Sequence, residues 1–314
     1  MDNETLIEDR LTLALNRLDL APTYREMLLT VSREHLNAQV DHFRACPPPA
    51  YLPFLCCEAN GVNPHRAVGV TSAWFLLQVA AHLLDKVEDQ ELEEIASPLR
   101  GQGMCTNLST GMIFVAEWIL NHLELDCIDA GAAWDIQRAF QETVLSVCSG
   151  QHLDLSITTP DLSTCWEIAE AKSGSAFALA CYVGTRVSTH QSDRLHHLET
   201  FGRYLGTIIQ ISDDVLDLEA DTKRREKNHL RSPLANAYLF QIGLNADDIS
   251  AKCLVDTSER SSIHRSLLLY LRLEAMKYAE MARSELKAVQ LAVGPREQIL
   301  RILNHLSSLG ANLN

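Results

Sequence analysis

An all-α fold is what this sequence predicts, and three observations carry the prediction. Apolar residues recur at helical spacing along most of the chain. Short alternating runs rich in Val, Ile and Thr, which would mark strands, are nearly absent. Pro-containing turns near 46–50, 158–161 and 294–295 separate the periodic stretches. With 314 residues, 46% of them apolar, the chain can build a sizeable core. Neither a low-complexity linker nor an internal repeat divides it, so 1–314 is expected to form a single α-helical domain.

The elements follow in order. Leu6, Leu11, Leu13, Leu15 and Leu18 belong to a first polar–apolar helix, and a second spans about Thr23 to Phe43. Pro47, Pro48 and Pro49 force a break, because consecutive prolines cannot sit inside a helix. Helices are then expected over about 50–59, 64–94, 105–124 and 131–155. After the turn at 158–161, Asp161 to Thr164 reads as a helix start. Two long helices cover about 162–187 and 191–221. Residues 222–231 are basic and polar and read as a loop; helices resume at 233, with a turn near Gly294–Pro295. The 64–94 helix is continuously apolar in its first half and gathers carboxylates at its C-terminal end, a pattern that delivers polar groups to the mouth of a buried cavity.

Composition excludes some functions. The net charge is −14 and no clustered basic face is present, which argues against a nucleic-acid partner. Such acidity suits solubility, or carboxylates normally covered by metal cations. The nine cysteines are odd in number, scattered and never spaced Cys-x-x-Cys, as expected for reduced, mostly buried thiols. The start, Met1 to Thr5, has neither the basic stretch nor the apolar run of a secretory signal, and no membrane span is expected. A cytoplasmic location follows from these readings.

Two acidic clusters carry the chemistry. Gly206, Gln210, Asp213 and Asp217 are spaced 4, 3 and 4, forming one helical stripe, with Asp214 one step around. Three carboxylates within two turns repel one another unless a cation is present. Mg²⁺ takes oxygen ligands and is commonly completed by substrate phosphates. The apolar flanks Ile208, Ile209, Ile211, Val215 and Leu216 argue against a merely solvated acidic face. The second cluster places Asp85 and Asp89 four apart, with Glu88 three from Asp85; alone it reads equally as a solvated helix end. Lys172, followed by small residues, can reach a phosphate as a point charge or lie along the surface. Gln151 and Asp154, three apart, read on spacing as a cap or a buried polar contact.

Together these motifs resemble the trans-isoprenyl diphosphate synthases, the polyprenyl synthetase family, over about residues 45–235. The second aspartate-rich motif, Gln-x-x-Asp-Asp-x-x-Asp, is similar to Gln210, Asp213, Asp214 and Asp217. The Lys-Thr motif resembles Lys172–Ser173, and the Gly-Gln-x-x-Asp-Leu element resembles Gly150, Gln151, Asp154 and Leu155. Phe201–Gly202 fits the family as well. The resemblance implies an isoprenoid synthase bundle of roughly ten or more helices around a deep central cavity, often homodimeric. It implies Mg²⁺, three ions with the diphosphate, bound by Asp85, Asp89, Asp213, Asp214 and Asp217. The allylic isoprenoid diphosphate would lie between the two motifs. Lys172, Gln210 and Asp213 would be catalytic; Arg100, Lys172, Lys223, Arg224 and Lys227 would contact the diphosphate.

The departures matter as much. Lys86 replaces the second Asp of the first motif, Asp-Asp-x-x-Asp. The family's Gly-Gly-Lys-x-x-Arg-Pro, whose cations hold isopentenyl diphosphate, corresponds to 47–53, where only Pro53 matches and no Lys or Arg is present. A second diphosphate bound without that cradle would keep its charge poorly paired. Three readings remain open. The first transfers the prenyl cation to isopentenyl diphosphate or to a non-standard acceptor. The second is a terpene synthase that cyclises or quenches the cation of one diphosphate. The third is a non-catalytic regulatory subunit. Trp74, Gln78 and Ala81 lie upstream of Asp85 and, with Gln151, are expected to line the cavity. Trp74 sits about 16 Å below Asp85 at the usual helical rise, a floor for a chain of fifteen to twenty carbons, or else a packing residue.

Overall fold

The computed structural model describes residues 2–89, 101–156, 161–224, 233–243 and 257–309. Among them, regular structure is helical and no strand occurs. The helices are α1 (Asn3–Asn16), α2 (Pro22–His42), α3 (Leu52–Ala59), α4 (Val68–Glu88), α5 (Gln102–Leu120), α6 (Ala130–Ser156), α7 (Leu162–Ala169), α8 (Ser175–Arg186), α9 (Ser192–Arg224), α10 (Pro233–Gln241), α11 (Thr257–Ala288) and α12 (Val293–Leu309). The expected all-α class is therefore correct.

Several boundaries differ from expectation for local reasons. The helix expected over 64–94 opens as a 3₁₀ turn, Pro64–Ala67, because Pro64 starts it and the Asn63 side chain caps the His65 N–H. It ends at Glu88, with Asp89 at the C-cap; residues 90–94 lie outside the described residues. The helix expected over 162–187 is two helices joined by a π turn, Glu170–Gly174. Gly294 and Pro295 lie in the first turn of α12, where proline is tolerated, and the break falls just before them. Thr222 to Arg224 complete α9, and the rest of the expected loop lies outside the described residues.

Contacts divide the chain into two compact units. Unit 1 comprises 1–140, 180–195 and 290–302; unit 2 comprises 141–179, 196–289 and 303–314. In unit 1, α4 is the core helix and packs most heavily on α5. Its Trp74, Phe75, Ala73 and Ala80 are fully buried. Among the described residues this is the one helix long and apolar enough to cross a membrane, and most of it is buried inside the protein, as in a core helix. Arg10 of α1 and Asp126 form an almost fully buried ion pair at 3.0 Å, and Arg10 also donates to the His122 carbonyl. In unit 2, α7 packs on α10, and α10 on α11. Ser212 of α9 donates to the Leu306 carbonyl of α12. Among the described cysteines, Cys56, Cys57, Cys105, Cys165 and Cys181 are buried as expected, whereas Cys127 and Cys148 are exposed.

Candidate active site

Unit 2 brings three sequence motifs into contact. The Lys172 ammonium lies 2.8 Å from Asp154 Oδ2, with both side chains largely covered. Ser173 donates to Gln210 Oε1 at 3.0 Å. Lys172 is thus a tethered cation rather than a surface lysine, and Asp154 is its partner rather than a cap. The π turn is what presents these two side chains. Its wider i→i+5 bonding breaks the regular helical phase between α7 and α8 at Lys172 and Ser173.

Two glycines make the approach possible. A Cβ on Gly206 would run into the Ser173 carbonyl, so α9 can lie against the turn only with a glycine there. A Cβ on Gly150 would meet the Ala171 methyl at 2.9 Å and Lys172 Cγ at 3.0 Å, which seats α6 on the same turn.

Asp213 follows one turn after Gln210 on α9 and is exposed, while Asp214 is buried. The Cys165 thiol of α7 is pushed up to about 12 by its burial and by the charges of Asp154, Asp214 and Asp161. Both polar atoms of the Gln151 amide are buried without a protein hydrogen-bond partner.

In unit 1, Asp85 lies in the last turn of α4 and Asp89 caps it. Carboxylates at a helix C-terminus oppose the helix dipole, an arrangement that a bound cation relieves. Farther down α4, Gln78 Oε1 is buried without a partner and Trp74 is fully buried. Among the described residues no three His, Cys, Asp or Glu side chains gather to hold a metal. The side chains of Asp217, Lys223 and Arg224, and the whole of Arg100 and Lys227, lie outside the described residues. The stretch Pro48–Pro53 is buried; Tyr51 in it donates to Glu4, and Pro53 packs against Gly184. Sequence reasoning missed the Lys172–Asp154 pair and the π turn; the Gly150 and Gly206 motif positions were the available signal.

Comparison with known proteins bears on the family and the fold. The family model described as polyprenyl synthetase matches residues 52–231, more than half of the chain. A (2E,6E)-farnesyl diphosphate synthase of Mycobacterium bovis is 28% identical over 174 residues, covering 53% of this chain and 47% of that protein. The tryptophan prenyltransferase ComQ of Bacillus subtilis subsp. natto is 26% identical over 159 residues, 49% of this chain and 46% of that protein. The match thus spans about half the length of these curated relatives. A geranylgeranyl pyrophosphate synthetase from Pyrococcus horikoshii Ot3 superposes with a TM-score of 0.77 at 19% identity, over 96% of this chain and 95% of that one, and shows the same fold.

Proposed function

This chain belongs to the polyprenyl synthetase family, and we propose that it ionises an allylic isoprenoid diphosphate of fifteen to twenty carbons and transfers the prenyl group to an acceptor. The observation that carries this reading is the meeting of Lys172, Asp154, Ser173 and Gln210 one helical turn from Asp213. The scissile C–O bond breaks heterolytically, the electron pair leaves with the diphosphate, and the allylic cation remains. Lys172 places one positive charge against the departing phosphate oxygens, and Asp154 keeps that ammonium oriented before substrate arrives. Gln210, fixed by Ser173, holds Asp213 in register on α9.

The donor set is carboxylate oxygen throughout, which fits Mg²⁺. Asp85, Asp89, Asp213, Asp214 and Asp217 are the proposed ligands, with Asp213 the more accessible of the two adjacent aspartates. Bound Mg²⁺ supplies charge neutralisation of the leaving diphosphate.

A non-standard acceptor is favoured by the stretch 47–53, which is cation-free and mostly buried. One relative is itself a tryptophan prenyltransferase, which supports the same reading. A homodimer is proposed as well, supported by the strongly exposed Phe114 and Trp134 on α5 and α6 of unit 1. The test is incubation with Mg²⁺ and geranyl, farnesyl or geranylgeranyl diphosphate, with and without isopentenyl diphosphate. Diphosphate release that yields no elongated diphosphate, and no hydrocarbon or alcohol accumulating from the allylic substrate alone, supports a non-standard acceptor; a longer diphosphate formed only with both substrates overturns it. The variant Asp213→Ala is expected to lose at least about a hundredfold in diphosphate release. Activity close to the wild type would remove Asp213 from the reaction.

A further inference from the structure

Unit 2 contains a cavity of about 560 Å³, lined by none of the residues given a part in the proposed reaction. Its walls come from α7, the end of α10 and one face of α11. Four electron-rich rings line it: Trp166, Tyr238, Tyr270 and Tyr278. Tyr238 and Tyr270 stack at 4.3 Å, and Trp166 tilts against Tyr278 with 5.7 Å between centroids. The Trp166 indole N–H donates to the Tyr270 hydroxyl at 3.2 Å, which fixes both rings. Among the described residues the one carboxylate in the lining is Glu274, and Glu170 lies just beyond, within reach of the Tyr278 hydroxyl. Burial and these two carboxylates push the Tyr278 phenol up to about 12, so the ring stays neutral.

Aromatic faces together with a carboxylate attract cations, and the quadrupole and the charge act in the same direction. A cation already stands in the wall of the cavity. The Lys277 ammonium sits 5.5 Å from the Tyr278 centroid and 3.0 Å from Glu274 Oε2. That lysine is 60% exposed, so its ion pair is weakly held and can be displaced. We propose that this cavity is a second ligand site that takes a compact organic cation, an ammonium on a small aliphatic body, in place of Lys277. The volume suits a small molecule. Glu274 and Glu170 disfavour an anion such as the diphosphate, so the site is chemically distinct from that of Lys172.

Calorimetric titration of the full chain tests this, with choline as the probe and 3,3-dimethyl-1-butanol as its neutral isostere. Choline is expected to bind once per chain, about tenfold or more tighter than the alcohol. Glu274→Gln should weaken choline about tenfold. Lys277→Met, which removes the resident ammonium, should tighten it, and Trp166→Leu should abolish it while circular dichroism stays that of a folded helical protein. Equal affinity for choline and the alcohol would overturn the proposal in favour of a neutral apolar ligand. So would failure of the Lys277→Met protein to bind choline, since that protein lacks the one cation that lines the cavity among the described residues.

Discussion

At Lys172 the Asp154 carboxylate holds the ammonium, and the surrounding backbone is held by a change of helical pitch. Sequence spacing alone made Lys172 ambiguous, because its partner is 18 residues away on another helix. Asp213, Gln210 and Asp214 were legible because they share consecutive turns of one helix. The partnerless amide of Gln151 was not, since a short polar spacing fits a cap as well as a ligand contact. His35 offers a second test at this scale. It lies on α2 beside His82 and Phe75, and burial, then the neighbouring His82, lower it to about 4. The folded protein therefore binds fewer protons than the unfolded chain between pH 4 and 6.5. Stability from this group is complete above about pH 6.5 and is lost as pH falls through about 4. The loss is at most about 3 kcal/mol. Urea unfolding across this range should show the decline, and His35→Phe should flatten it; an unchanged slope in the variant would assign the decline to other groups.

Among the elements, the π turn escaped the sequence reading because Glu170 to Gly174 contains no helix breaker except a glycine, and the regular apolar pattern resumes after it. α4 ends at Glu88, with Asp89 at its C-cap, a boundary hidden in the sequence because the acidic composition that suggested a longer helix carries no stop signal of its own. The glycines were visible, but their meaning depended on which backbone they would meet. Gly206→Ala is expected to cost about 1–3 kcal/mol by forcing α9 away from the Ser173 carbonyl. The same shift should loosen the Ser173–Gln210 bond and weaken pyrophosphate binding measured with Mg²⁺. A variant as stable as the wild type, or one that binds pyrophosphate equally well, would show that the close approach is dispensable.

For the molecule as a whole, the all-α class and most of the helix order were legible, because they rest on periodicity repeated over hundreds of residues. The division into two compact units was not, since the partition follows contacts rather than composition. Trp74 keeps its place about 16 Å along α4 from Asp85 and is fully buried. As a floor, it predicts that Trp74→Ala extends the longest allylic diphosphate accepted, read as relative turnover of fifteen-, twenty- and twenty-five-carbon substrates. An unchanged preference would mean that Trp74 only packs. The interleaving of the two units has a further consequence. The chain passes from one unit to the other after residues 140, 179, 195, 289 and 302, and four of these passages fall inside α6, α8, α9 and α12. Each unit is three separate lengths of chain, so no single cut releases either one whole. A proteolytic nick or a gene fusion at such a point severs a helix rather than a linker. Recombination can therefore inherit this protein only entire, and new partners must be appended at its ends or inserted into its loops.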